Sequence, residues 1–302
     1  MKSTERRRGK MKRIGKSTVV LVAVALAFAP IPVKAFNPAT HLYIAERVFA
    51  DCGERIDLWY GSIAPDLALY VAIPENWITS FNDTHYDYMD LVDSASSPVQ
   101  KAFAQGWLSH NEEWGADYYA HIRYSPPGIS LVHYNEECGY GYVTCKAAWL
   151  AALAEIPPDL AHFAIEVAVD LLLKNIDPKV GAKLLVANLF RSWQDRLMLT
   201  KVLVWQEKRT DWGTLAATEV TFRNLVHRYA MALALPSPND QEALAELGAQ
   251  LAGEMFGVDD VSPEEIAVIL ETALELCEAD YITVINFTVD QLKEKIGHVV
   301  SE

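Results

Sequence analysis

The helical spacing of apolar residues is the feature of this sequence that most limits its fold. In "DLAHFAIEVAVDLLLKN", which starts at Asp159, apolar residues recur every three or four positions, as they do along one face of an α-helix. Similar segments continue to the C-terminus, separated by the breaks "DPKVG", "LPSPND" and "GVDDVSPEE". No alternating pattern typical of β-strands persists. The sequence therefore predicts an all-α fold, a multi-helix bundle.

The N-terminal half has a less regular pattern. Thr40 can cap a first helix that Gly53 ends. Residues 74–98 are polar and aromatic without a clear period, so we expect irregular chain there. One long helix is predicted over about 98–123, and a loop is predicted from there to about residue 145.

The first 35 residues match a secretory signal peptide. A basic start precedes the short apolar run "STVVLVAVALAFA", and a Val-Lys-Ala triplet ends the segment at Ala35. The apolar run is short for a membrane span, although a retained anchor is the alternative. Cleavage after Ala35 would make Phe36 the mature N-terminus, and we expect the protein to be secreted or periplasmic.

The charge balance restricts the partners of the chain. It has 26 Lys and Arg against 40 Asp and Glu, a formal net charge of −14. Segment 1–35 holds nine basic residues and one acidic residue, so its removal would lower the net charge to −22. Such a surface repels polyanions, and no stable nucleic-acid complex is expected. A phosphate-bearing substrate would need local positive charge, which bound metal ions can supply.

Four cysteines in an exported chain suggest disulfides. Cys138 and Cys145 bracket a short turn rich in Gly and Tyr and could close a small loop. Cys52 and Cys277 would then tie the start of the domain to its end. Four cysteines allow three pairings, so the sequence gives only a preference.

Three ionisable residues share one face of the predicted helix over 98–123. Because a helix turns about 100° per residue, Asp117 and His121 lie within about 20° of His110. The three side chains could satisfy one another in a core, but ionisable residues are seldom buried without a partner. Their alignment favours a cation site.

Further candidate ligands lie elsewhere in the chain. His162 and Glu166 are one helical turn apart and can reach the same ion. Asp170 continues their side of the helix. The remaining candidates, in sequence order, are His41, Asp66 and His85. His133 could reach the same cleft, whereas His227 and His298 lie on amphipathic segments without a partner pattern.

Five motifs stand in order along the chain. They are an N-terminal His in "THLYIA", the Asp of "GSIAPD", the His of "NDTH", the segment "GWLSH" with its later Asp and His, and a His-x-x-x-Glu pair. In this order they resemble the zinc-dependent phospholipase C family, which is related in fold to the S1/P1 nucleases. The resemblance covers about residues 36–175. It implies an all-α catalytic domain over 36–204 with three zinc ions in a cleft between helices. Residues 205–302 carry no such motif, and their amphipathic pattern predicts a helical C-terminal extension. We also expect a monomer.

The resemblance implies which residues hold each ion. The first zinc would be held by Asp66, His85, His110 and Asp117. The second would be held by His121, His162 and Glu166. The third would be held by His41, the shared Asp117 and the backbone amine and carbonyl of Phe36. Glu113 is an alternative to Asp117, because Trp114 occupies the position where the family typically has this carboxylate.

Three zinc ions imply hydrolysis of a phosphodiester by a metal-activated water. Asp66 would act as the general base. We expect a phospholipid headgroup as the substrate, together with peripheral contact with a membrane surface. Aromatic residues over 59–88 suit a choline pocket, base stacking or ordinary packing. The alternatives are an S1/P1-like nuclease or nucleotidase, and a zinc-binding interaction module without activity.

Overall fold

The computed structural model describes residues 37–70, 74–122, 132–133, 136–138, 140–206, 211–256 and 261–299. Within these ranges the chain is helical almost throughout, which confirms the predicted all-α bundle. The proposed signal peptide and Phe36 lie outside them. None of the described helices combines the length and the apolar composition that crossing a bilayer requires.

The helices of the first half are short. They are α1 (Pro38–Val48), α2 (Arg55–Ile63), α3 (Pro74–His85), α4 (Met89–Ser94) and α5 (Pro98–His110). A 3-10 segment, Ala64–Tyr70, directly continues α2, and a π-helical turn covers Tyr118–Ile122. A two-residue antiparallel ladder joins β1 (Val132–His133) to β2 (Glu136–Glu137), with Val132 opposite Glu137.

The second half contains the longer helices. They are α6 (Tyr142–Ala154), α7 (Pro158–Leu173), α8 (Val180–Phe190), α9 (Trp193–Thr200), α10 (Trp212–Leu233), α11 (Asn239–Phe256), α12 (Pro263–Cys277) and α13 (Tyr281–Val299). A π-helical turn, Lys201–Gln206, follows α9. In the predicted C-terminal extension, α12 packs on α7 and α13 packs on α1, so these helices cover the bundle that carries the candidate ligands.

The expectation of irregular chain over 74–98 is wrong. Residues in this region form α3 and α4. α3 packs against the 3-10 segment, and its last turn buries Phe81, Thr84 and His85. A segment whose apolar residues show little helical spacing can still form a helix when tertiary contacts stabilise it. Local helix propensity and residue pattern are only weak indicators of secondary structure.

The backbones of α2 and α5 touch where they cross. A Cβ atom on Gly61 would lie 2.1 Å from the carbonyl oxygen of Phe103, and one on Gly106 would lie 2.1 Å from that of Leu58. No side chain fits at either position. The close crossing also brings the end of α2 next to His110, which follows Gly106 by one helical turn.

A buried carboxylate holds the start of α1. Asp170, on α7, accepts the backbone N–H groups of Ala39 (3.1 Å) and Thr40 (2.8 Å) and the hydroxyl groups of Thr40 (2.5 Å) and Tyr229 (2.9 Å). The first amides of a helix have no partner within the helix. Asp170 therefore supports the helix that carries His41, and burial raises its own pKa to about 6 against the opposing effect of these hydrogen bonds.

The cysteine prediction is half correct. Cys138 and Cys145 form a disulfide, with Cα atoms 5.9 Å apart. The suggested bond between Cys52 and Cys277 is wrong, because both are free thiols. Cys52 packs beside Ala45, Leu58 and Ala102, whereas Cys277 is buried in the main core. The two thiols belong to separate hydrophobic clusters.

Two buried carboxyl groups lie against each other where α2 approaches α9. Asp57 accepts the backbone N–H of Ser192 (3.0 Å), and Asp195 is fully buried beside it. Burial and the negative charge of Asp57 raise the pKa of Asp195 to about 9, although the Arg191 guanidinium lowers it. This carboxyl group is therefore protonated in the folded protein at neutral pH.

The first prediction concerns the helix crossing. Gly106→Ala forces the backbones of α2 and α5 apart, so we expect the free energy of unfolding to fall by about 1–3 kcal/mol. Urea denaturation measures the loss. The matched control is Gly53→Ala, since a Cβ at Gly53 meets nothing within 4 Å. Equal stability of the two variants would contradict the close crossing.

The second prediction concerns Asp195. Its folded pKa is raised from 3.8 to about 9, so this group stabilises the fold fully only below pH 4, and the contribution is lost as the pH rises towards 9. Asp195→Asn keeps the shape of the side chain but removes its ionisable carboxyl group. At pH 8 we expect the free energy of unfolding of this variant to exceed that of the original protein by on the order of 2 kcal/mol.

Urea denaturation between pH 5 and pH 9 tests this expectation. The control is the same change at Asp51, which is exposed. Parallel pH profiles for the original protein and Asp195→Asn would show that the Asp57–Asp195 contact does not shift the titration.

Candidate metal centre

The chain breaks its helix at the end of α5. His110 is the last residue of α5, and Asn111 leaves helical geometry with φ −39° and ψ 159°. The Asn111 amide oxygen then accepts the backbone N–H groups of Glu113 (3.0 Å), Trp114 (2.9 Å) and Gly115 (3.2 Å). The predicted single helix over 98–123 is therefore wrong, because this turn competes with helix continuation.

The break changes how the motif residues meet. On a continuous helix, Asp117 would lie about 10 Å further along the axis than His110. Instead, Asp117 Oδ2 lies 3.0 Å from His110 Nε2. The helical turn that follows Asp117 then carries His121.

A first group of ionisable side chains comes together from five segments. His110 Nε2 lies 3.5 Å from Asp66 Oδ1, and His41 Nε2 lies 3.1 Å from Asp117 Oδ1. His85 Nε2 lies 3.6 Å from Asp117 Oδ2 and 3.8 Å from Asp66 Oδ1. All five residues are buried. We call them the first group: His41, Asp66, His85, His110 and Asp117.

A second group contains His121, His162 and Glu166. One possible ligand atom from each lies within 4.8 Å of the other two. His162 Nε2 is 2.9 Å from Glu166 Oε1, and the rings of His121 and His162 are 5.2 Å apart between centroids. The spacing of His162 and Glu166 on α7 thus brings the two side chains together, as the sequence predicts.

The far sides of two rings in the first group are held by the protein. His110 Nδ1 lies 2.8 Å from the carbonyl oxygen of Ser62, which can only accept a hydrogen bond. His85 Nδ1 contacts Thr84 Oγ1 (2.7 Å) and the carbonyl oxygen of Phe81 (3.2 Å). A proton on Nδ1 leaves the Nε2 lone pair of a neutral imidazole directed at the carboxylates, as in metal sites.

The charges of the first group compensate one another in a buried space. Burial opposes ionisation of Asp117, but His110 and His41 hold its pKa well below the usual range. Burial likewise opposes the charged form of His110, while Asp117 and Asp66 raise its pKa well above 6.5. Burial of His41 is the strongest influence on its pKa, which is lowered. His110 is therefore the imidazole that acts as a counter-charge to the two buried carboxylates.

Several of these atoms have no hydrogen bond. Among the described residues, the Nε2 atoms of His85 and His110, Asp66 Oδ1 and both carboxylate oxygens of Asp117 have no hydrogen-bond partner. Buried polar atoms are normally hydrogen-bonded, and buried carboxylates are usually paired or bound to metal. The donor set of imidazole nitrogen and carboxylate oxygen suits a transition metal such as zinc. These groups could hold a metal ion.

The alternative ligand Glu113 lies outside both groups. Its carboxylate accepts the hydroxyl of Tyr88 at 2.7 Å. Its neighbour Glu112 is buried, with Oε1 3.3 Å from His121 Nδ1. Sequence reasoning missed Glu112, because two residues after His110 a continuous helix would direct it to the opposite face. The helix break brings it inside.

Other sequence candidates are less informative. Phe36 and the side chains of His133 and His298 lie outside the described residues. His227, on α10, is partly exposed and belongs to neither group. Most described aromatic residues over 59–88 pack in the protein. Phe81 stacks on His85 with ring centroids 3.9 Å apart, whereas Tyr86 is 40% exposed.

The third prediction concerns the turn at Asn111. Asn111→Ala removes the acceptor of three backbone N–H groups, so we expect the free energy of unfolding to fall by about 1 kcal/mol and the affinity for divalent metal ions, with zinc as the probe, to fall. Calorimetric zinc titration and urea denaturation measure the two effects.

The control, Asp211→Ala, removes an exposed cap on α10 that accepts the N–H groups of Gly213 and Thr214. It should lower stability alone. An unchanged zinc affinity in Asn111→Ala would show that the turn does not position the ligands.

Comparison of the chain with models of known protein families, with curated proteins and with solved structures finds no match. The resemblance to the zinc-dependent phospholipase C family therefore stays an expectation based on the motif residues. The positions of the side chains support a conclusion about metal binding, and not about the family. Eight of the nine residues that the sequence nominates as ligands lie in two groups that could hold metal ions, and all of the eight except His162 are buried.

Proposed function

We propose that this protein is an exported zinc-dependent phosphodiester hydrolase that cleaves the headgroup of a phospholipid in the manner of a phospholipase C. The observation that carries the proposal is the convergence of the first group. Imidazole and carboxylate side chains from five separate segments point their ligand atoms at one another in the interior. The second group adds a further set of the same chemistry.

Zinc suits these donors better than a harder cation. Magnesium and calcium prefer sites made of oxygen ligands, whereas imidazole with carboxylate is common in zinc sites. Three ions are expected from the family resemblance. Zinc bound at the groups would supply the positive charge that a phosphodiester requires and would favour ionisation of an attacking water.

Asp66 is the residue that we propose as the general base. Two carboxylates face His110, and they differ in exposure: the Asp66 side chain is 10% exposed and that of Asp117 is 0% exposed. Asp66 is therefore the carboxylate that a water arriving from solvent reaches more easily. Its carboxylate would accept the proton of that water, while Asp117 stays enclosed among the imidazoles.

The disulfide supports the proposed location. Cys138 and Cys145 are joined, and such bonds persist in oxidising compartments such as the periplasm or the extracellular space. An extracellular phospholipase would meet its substrate at a membrane surface, so peripheral contact with that surface is part of the proposal.

An S1/P1-like nuclease or nucleotidase is the second candidate function. The exposed ring of Tyr86 supports this candidate, because its centroid lies 6.3 Å from that of Phe81, which stacks on His85 of the first group. An exposed aromatic ring can stack on a base as well as contact a quaternary ammonium. Assays on phosphatidylcholine, single-stranded DNA and nucleotides distinguish these substrates.

The fourth prediction tests Asp66. Asp66→Asn retains an oxygen that can contact zinc but removes the proton acceptor, so we expect turnover to fall by about 10²- to 10⁴-fold while zinc content is largely kept. The assay measures phosphodiester hydrolysis alongside metal content by mass spectrometry. Glu113→Gln, a nearby change outside both groups, should leave turnover unchanged.

Two results would contradict the proposal in different ways. Full turnover of zinc-loaded Asp66→Asn would exclude Asp66 as the base. A zinc-loaded original protein without activity on any of the phosphodiesters would instead support a zinc-binding interaction module.

A further inference from the structure

Glu112 lies between the two groups of candidate ligands. Possible ligand atoms of Glu112, Asp117 and His121 lie within 4.8 Å of one another. Asp117 belongs to the first group and His121 to the second. Glu112 thus completes a third set of side chains that joins them.

The third set contains buried charge that needs a partner. Glu112 is 3% exposed, and Asp117 and His121 are also buried. Among the described residues, Glu112 Oε2, both carboxylate oxygens of Asp117 and both ring nitrogens of His121 have no hydrogen bond. Asp117 already faces His110 and His41, whereas the Glu112 carboxylate has only the His121 ring beside it, and a buried charge without full compensation is costly. A divalent cation bound by one atom of each of the three side chains would compensate this charge.

The distance between Glu112 and His121 fits a shared ion. Glu112 Oε1 and His121 Nδ1 are 3.3 Å apart, yet they do not form a hydrogen bond. Two ligands at about 2.0 to 2.1 Å from a tetrahedral zinc are separated by roughly this distance. The position of Glu112 is also fixed from outside the set, because its backbone N–H donates to the carbonyl oxygen of His85 at 3.2 Å.

We propose that Glu112, Asp117 and Nδ1 of His121 form a further zinc-binding position, built from side chains alone, between the first and second groups. Three protein ligands and an open fourth position are typical of catalytic zinc sites. Glu112 is therefore a metal ligand that the motif resemblance does not include. A neutral His121 has one lone pair, so an ion bound here through Nδ1 leaves the second group to bind its own ion through His162 and Glu166.

The inference rests on metal binding by the site and does not require the hydrolytic activity. The adjacent glutamates offer a matched pair of variants. Glu112→Gln keeps the shape of the side chain but is a much poorer zinc ligand, and Glu113→Gln makes the same change at a residue whose carboxylate accepts the Tyr88 hydroxyl.

The fifth prediction is a loss of zinc from one variant. By mass spectrometry after equilibration with zinc, we expect Glu112→Gln to hold about one ion fewer per chain than the original protein, and Glu113→Gln to hold the same number. Without metal, Glu112→Gln should unfold at the same or a higher temperature, because a buried charge has been removed. Its increase in unfolding temperature on adding zinc should be smaller than that of the original protein.

The outcomes separate this inference from the proposed function. If Glu112→Gln keeps its zinc and its full thermal response, the third set is not a metal position, whatever the activity of the protein. If the original protein binds no zinc, both proposals fail. If the original protein binds zinc and lacks hydrolytic activity, while Glu112→Gln loses an ion, only the proposed function fails.

Discussion

The backbone contact between α2 and α5 is the constraint on which the candidate metal centre depends. Gly61 and Gly106 let the two helices approach until a Cβ on either would overlap a carbonyl oxygen. At this separation, the carbonyl of Ser62 reaches the ring of His110. Asp66 follows four residues after Ser62 on the 3-10 segment and meets the other side of that ring. One close crossing therefore positions an imidazole and a carboxylate together.

Elements around the centre restrict the other ligands in the same way. The carboxylate of Asp170 holds the first turn of α1, and this fixes the helix of His41. The loop closed by the Cys138–Cys145 disulfide rests on the backbone of His121, because Gly141 N–H and the Thr144 hydroxyl both donate to the His121 carbonyl, at 2.9 and 3.2 Å. A Cβ on Gly141 would lie 2.4 Å from that backbone. Rigid supports of this kind preorganise ligands before an ion arrives.

The electrostatics of the site connect structure to proposed function. Carboxylates enclosed at 0–7% exposure are tolerated only with compensating positive charge. Protonated imidazoles can supply it, and so can zinc, which in addition would provide the charge needed to bind a phosphodiester on a strongly acidic protein. The same ligands thus serve the stability of the buried site and its proposed chemistry.

The sequence by itself determined the helical class and most candidate ligands. Apolar spacing is a local property, and so is the one-turn separation of His162 and Glu166, which persists because α7 is a regular helix. The short span from Cys138 to Cys145 likewise makes their pairing a local event. These features depend on neighbours in the chain and can be read from it.

Only the tertiary structure decided how the scattered residues meet. The turn at Asn111 ends a helix that the pattern would continue, and it is this turn that brings Asp117 back to His110 and turns Glu112 inward. α3 forms in a segment with little helical periodicity because it packs on the 3-10 segment. Cys52 and Cys277 stay apart because the two thiols lie in different hydrophobic clusters. Such outcomes depend on contacts between residues that are distant in the chain, which local spacing does not encode.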